Sequence, residues 1–147
     1  MTPKLEVVPF RAWHYSWLVT TGKCTEGGSF QPSSAMLAQL EMQNTWTGVV
    51  DGDPIVVGGT IVQWPGRYLA WAYFLPGTLK LMPQITMAAE RIFSSVTGRI
   101  EFTVRRDFRA GQRWARTLGF KVETPVLEAF GPEGEDHVGY VRFNKVA

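Results

Sequence analysis

The chain has 147 residues, 45% of them apolar and 19% charged, with a net charge of +2. That length suits a single domain able to bury a core without disulfides or metal. The balance is too nearly neutral to imply nucleic acid by itself, and no apolar run reaches the roughly 18 residues of a spanning helix. The first ten residues, MTPKLEVVPF, lack a long apolar stretch and a small-residue cleavage motif, so no signal peptide is expected. The single cysteine, Cys24, cannot close an internal disulfide and reads as a semi-buried loop thiol.

In chain order, LEVVPF (5–10) predicts a short strand ended by Pro9. RAWHYSWLVT (11–20) predicts a helix, with Trp13, Trp17 and Leu18 at helical spacing. Residues 22–28 punctuate. PSSAMLAQLEMQ (32–43) opens on a proline and two cap-type serines and predicts a second helix. From Thr45 the period falls to two, and the segments around DGD (51–53) predict hairpin strands. WPGR (64–67) turns the chain into YLAWAYF (68–74), completing an antiparallel meander.

Pro83 then stands at the first position of a helix to about Val96, with Met87, Ala88, Ile92, Phe93 and Val96 on one face. RIEFTV (99–104) alternates strictly and predicts a strand. FRAGQRWARTLGF (108–120) predicts a helix whose inner stripe is Gly111, Trp114, Ala115 and Leu118, with Asp107 as its cap and Gly119 as its stop. KVETPVLEAF (121–130) is a strand with Pro125 as a bend or edge feature. GPEGED (131–136) turns into the last strand, HVGYVRF (137–143). This order predicts an α+β domain on a mixed sheet spanning 1–147.

VRRDFRAGQRWARTLGFKVE (104–123) and VVDGDPIVVGGTIVQWPGRYLAW (49–71) resemble the GNAT superfamily of acyl-CoA N-acyltransferases. The first is similar to the family's fifth strand and fourth helix, the second to its central hairpin. The resemblance implies a mixed, mostly antiparallel sheet of six to seven strands with about four helices. Together with GPEGEDHVGYVRF, these segments are similar to small bacteriophage-encoded GNAT-like proteins, and more distantly to the small internal virion protein of short-tailed phages. That similarity implies a virion or assembly component with little or no acyltransfer, in the virion or host cytoplasm. Its implied partners are other assembly proteins or further copies of the chain, without a cofactor. The alternative is an acetyl-CoA-dependent N-acetyltransferase.

An acyltransferase of this fold needs backbone N–H groups to cradle a diphosphate, parted strands to grip pantetheine, and a proton donor for the leaving thiolate. The family's glycine-rich phosphate loop corresponds here to FLPGTLKLMPQIT (74–86), which keeps Gly77 but lacks a second glycine. If CoA binds, the resemblance assigns it to Leu75, Gly77, Thr78, Lys80 and Phe108. Aligned on Leu118-Gly119-Phe120, the usual catalytic tyrosine position is Ala115, and Phe108 replaces the family's asparagine. Tyr68, Tyr73 and Tyr140 all fall on predicted strands and read as packing residues. The discriminating feature is whether 68–74 and 99–105 part to leave a slot.

Arg105, Arg106, Arg109, Arg113 and Arg116 form a cationic face suited to solvent, to acidic partner proteins, or to phosphates of nucleic acid or CoA. The segment's aromatics lie on its apolar side, which argues against single-stranded nucleic acid. His14 and His137 have no ligand partners at metal spacing, so no metal site is expected. His137 reads as a solvated strand-end residue, with a tuned base as the alternative, beside Glu135 and Asp136, which keep the turn soluble.

Overall fold

A computed structural model describes residues 3–22 and 32–145 of the chain. Cys24 and the rest of the expected punctuation after Gly22 lie outside the described residues, and Gly22 itself ends the first helix. The elements are β1 (Glu6–Pro9), α1 (Ala12–Gly22), α2 (Ser34–Leu40), β2 (Asn44–Val50), β3 (Asp53–Trp64) and β4 (Arg67–Phe74). They continue with α3 (Met82–Ser94), β5 (Gly98–Arg105), α4 (Arg109–Thr117), β6 (Lys121–Leu127) and β7 (His137–Asn144). Seven strands form one sheet in the order β1-β2-β3-β4-β5-β7-β6. Every neighbouring pair is antiparallel except β4 and β5, which the α3 crossover joins in parallel.

The alternation along β4 divides the core. Trp71 and Tyr73 join Phe10, Leu18, Leu37, Leu40 and Val57 under α1 and α2. Tyr68, Ala70 and Phe74 instead pack with Ile85, Ala89, Phe93, Ala115 and Leu118 under α3 and α4. The sheet is therefore covered on both faces.

Local chemistry sets the element ends. Asp51 (φ 51°) and Gly52 (φ 85°) make the tight turn between β2 and β3. The Ser33 hydroxyl accepts from the Met36 amide at 3.2 Å and starts α2. Helix α4 ends in a Schellman motif: the amides of Phe120 and Gly119 donate to the carbonyls of Ala115 and Arg116, each at 3.0 Å. Gly119 supplies the required left-handed residue, φ 81°. Phe120 then enters the core edge-on to Phe93 and Phe102. Pro125 lies on the edge strand β6, where the register shifts between Thr124 and Leu127.

Three expectations need correction. Asp107 does not cap α4: Phe108 occupies the cap position without a side-chain bond, and Asp107 pairs with Arg105 at 3.3 Å. In α3, Ile85 and Ala89 share the buried stripe with Ala88, Phe93 and Val96, while Met87, two residues after Ile85, falls on the opposite side of the helix and is exposed. In α1, His14 and Leu18 point inward, while Trp13 and Trp17 meet solvent.

Two donors converge on His14 Nδ1, the Arg11 amide at 3.0 Å and the Thr47 hydroxyl at 2.7 Å, so Nδ1 holds the lone pair. Burial, reinforced by the neighbouring Arg11 charge, lowers the His14 pKa below its ordinary 6.5. The unfolded chain thus takes up this proton at higher pH than the fold does. His14 stabilises the fold above pH 6.5, and that contribution is lost as pH falls toward the lowered value. Urea unfolding between pH 8 and 5 should show a slope of at most about 1.4 kcal/mol per pH unit that His14→Gln flattens.

Candidate functional site: a slot between parted strands

The parallel pair β4–β5 is joined only at Arg67↔Arg99, Tyr68↔Ile100 and Leu69↔Glu101. Beyond that point β4 runs on to Phe74, still paired with β3, and β5 to Arg105, still paired with β7. Held by their outer neighbours, the two strands part, and no β4–β5 ladder pair joins them past Leu69 and Glu101. A cavity of about 280 Å³ occupies the gap. Its walls are Ala70, Trp71, Ala72 and Phe74 on one side and Phe102, Thr103, Val104 and Arg105 on the other. Phe108, Gly111 and Trp114 of the α4 region close one end.

That end is tightly fitted. A Cβ on Gly111 would stand 2.6 Å from the Phe108 ring and 2.9 Å from Val104, so only glycine lets α4 approach β5. Trp114 lies edge-on to Phe74, centroids 5.2 Å apart, and donates from Nε1 to the Thr86 hydroxyl at 2.9 Å. Gln112 donates to the carbonyls of Arg105 and Arg106, at 3.3 and 2.7 Å, and ties α4 to the end of β5.

Where the strands are still joined, Glu101 lies between the guanidiniums of Arg67 and Arg99, and Arg99 continues to Glu123. Burial alone would raise the Glu101 pKa, but the two cations outweigh it and hold the carboxylate below its ordinary value.

The loop leaving the slot carries Leu75, Pro76, Gly77 and Thr78 into a 3-10 turn, Leu79–Leu81, continuous with α3. Leu75 packs against the cluster under α1 and α2. Gly77 has φ 83°, and an added Cβ would meet nothing within 4 Å, so glycine serves the turn and not a close approach. Thr78 is half-buried and Lys80 exposed. The amides of Leu79 and Lys80 head the helical run with no acceptor in a preceding turn. Of the sequence-assigned residues, only Phe108 lines the cavity, while Leu75, Gly77, Thr78 and Lys80 sit just past its Phe74 wall.

Among the Arg-face residues, Arg105 lines the slot and bonds Asp107, and Arg106 approaches Asp136 at 4.0 Å. Arg109, Arg113 and Arg116 are exposed and have no ion-pair partner among the described residues. No tyrosine lines the slot. Tyr68 and Tyr140 pack with the α3–α4 core and Tyr73 with the α1–α2 core.

Slot residues missed from sequence include Thr103, Trp114 and the small Ala70 and Ala72. His137, read as solvated, is fully buried: it bonds Thr103 through Nδ1 at 2.9 Å and Glu135 through Nε2 at 3.3 Å. The Phe130 ring covers it, centroids 5.2 Å apart. Among the described residues no His, Cys, Asp and Glu cluster suits a metal, and no helix is long and apolar enough to cross a membrane.

No protein-family model and no curated protein matches the chain in sequence. Solved structures do. A GNAT-family acetyltransferase from Streptococcus pneumoniae superposes with a TM-score of 0.67 at 15% identity, covering 96% of this chain and 99% of that one. A GNAT superfamily phosphinothricin acetyltransferase from Sinorhizobium meliloti, in complex with AcCoA, gives 0.70 at 15%, covering 99% and 90%. The ribosomal-protein-S18-alanine N-acetyltransferase from Escherichia coli gives 0.66 at 14%, covering 98% and 96%. The chain has the GNAT fold. These similarities lend nothing to a phage origin or a virion placement.

Proposed function

We propose that the chain is an acetyl-CoA-dependent N-acetyltransferase. The observation that carries this reading is the parting of β4 from β5 beyond Leu69 and Glu101. The sequence favours an assembly role without a cofactor, but a module kept only for packing would have no cause to hold two strands apart around an apolar cavity. Such a gap forfeits ladder bonds and dispersion contacts.

The residues fit the pantetheine arm well. Beyond the end of the β4–β5 ladder, the inner strand edges can turn backbone groups toward its amides, and Ala70 and Ala72 leave width for it. They fit the diphosphate more sparsely, through the amides of Leu79 and Lys80, the Lys80 ammonium and the Thr78 hydroxyl. Bound acetyl-CoA supplies an activated acyl thioester. The chain's own work is then to hold the arm in line, exclude water with Trp71, Phe74 and Trp114, and orient an acceptor amine. With Ala115 at the usual tyrosine position, proton transfer falls to another group.

The acceptor in this reading is an amine. Formation of free thiol from acetyl-CoA should rise when amines are added, tested with 2-phenylethylamine and an alanine-ended peptide. A rate indistinguishable from the protein-free control with both would count against this reading. An interaction role is the second reading, favoured by the unpaired Arg109, Arg113 and Arg116.

A further inference from the structure

Four groups with polar side chains matter around the slot, and three are unsuited to moving a proton. Glu101 is held ionised by Arg67 and Arg99, which makes it a weak base and leaves it no proton to give. Arg105 stays protonated, and the Trp114 indole is committed to Thr86. The fourth is Thr103, the one hydroxyl lining the cavity among the described residues.

Thr103 does not stand alone. Behind it His137 is fully buried on β7, and behind His137 stands Glu135. Glu135 is held below its ordinary pKa by its own backbone amide, with His137 and the Glu133 amide adding to the effect. An ionised carboxylate only accepts hydrogen bonds, so His137 carries its proton on Nε2, and in the neutral ring Nδ1 offers a lone pair to Thr103. The arrangement runs Glu135, His137, Thr103, slot, with Phe130 shielding the ring from water.

We infer that Thr103, His137 and Glu135 form a proton relay opening on the slot, with Thr103 as the catalytic residue and His137 and Glu135 as positioning residues behind it. This rests on the acyltransfer reading above. As the amine nitrogen bonds to the acyl carbon, the bond from that carbon to sulfur breaks. The proton shed by nitrogen passes to Thr103 Oγ1, whose own proton moves to His137 Nδ1, and Glu135 faces the imidazolium so formed. The sulfur leaves as thiolate, and the proton returns to it along the same path. Amine and thioester thus become amide and thiol with nothing left over. The relay supplies the proton donor that Ala115 cannot.

The test pairs Thr103→Val, which keeps the shape and removes the hydroxyl, with Thr103→Ser, which restores it. With 2-phenylethylamine, Thr103→Val should lose about 100-fold or more in kcat, the usual worth of acid–base catalysis, and Thr103→Ser should recover most of it. Calorimetric titration should show that both variants still bind CoA, so that the loss is read in kcat. Independently of turnover, 15N spectra of the unliganded chain, assigned with His14→Gln, should show His137 protonated on Nε2 and bare on Nδ1. A His137 ring protonated on Nδ1 alone, or wild-type kcat in a CoA-binding Thr103→Val, would overturn the relay. Absence of CoA binding in the unaltered chain would instead overturn the acyltransfer reading.

Discussion

Replacing Ala72 with tryptophan should abolish CoA binding while leaving the chain folded. Ala72 lines the slot on the stretch of β4 that has left β5. An indole there occupies much of the roughly 280 Å³ that pantetheine would fill. Strain from the larger side chain should cost about 1–3 kcal/mol of stability, which a cooperative melt would register without loss of fold. The affinity loss should be at least about 100-fold, equivalent to about 2.7 kcal/mol. Ala70→Phe, two residues earlier on the same face of β4, provides a second variant if the first folds poorly. Unchanged affinity in a folded Ala72→Trp would mean that the coenzyme does not use this slot.

The second large effect is on stability, at the closed base of the same slot. Gly98 opens β5 with φ 122°, and a Cβ there would lie 2.4 Å from the Gly66 carbonyl oxygen and 2.9 Å from Gly66 Cα. These are backbone atoms, and that oxygen already accepts the Arg99 amide at 2.8 Å. Neither strand can yield without loosening the three-register pairing that holds β4 to β5. Gly98→Ala should therefore lose about 3 kcal/mol, combining backbone strain with the clash. Gly52→Ala separates the two terms: its φ is 85°, but nothing lies within 4 Å of the new Cβ. It should lose only about 1–2 kcal/mol. Urea midpoints of the two variants would measure the difference, and equal losses would contradict this view of the Gly66–Gly98 contact.

Much of the fold was legible because its signals are local. The alternation of Ile100, Phe102 and Val104, the Asp51–Gly52 turn and the Leu-Gly-Phe stop each reflect a few neighbouring residues, and each formed as expected. On α3 the expected face was right for Ala88, Ile92, Phe93 and Val96 and wrong for Met87, which lies two residues from Ile85 and so across the helix from the buried stripe. Asp107 had the chemistry of a cap, but Arg105 two residues earlier competes for its carboxylate.

The site was less legible because it depends on register and on distant segments. Nothing in YLAWAYF or RIEFTV announces that their pairing stops after three positions; that follows from how β3 and β7 hold their outer edges. His137 looked solvated beside Glu135 and Asp136. Its burial comes from the fold of the 128–136 loop, which lays Phe130 over the ring. Thr103, a small hydroxyl in an alternating strand, drew no notice until that strand became one wall of a cavity.

Calorimetric titration of CoA into the unaltered chain tests the central claim most directly. A saturable signal with one site per chain and a Kd tighter than about 1 mM, about 4 kcal/mol of binding free energy, is the predicted result. No saturable heat at millimolar CoA would contradict it and leave the slot without its proposed ligand.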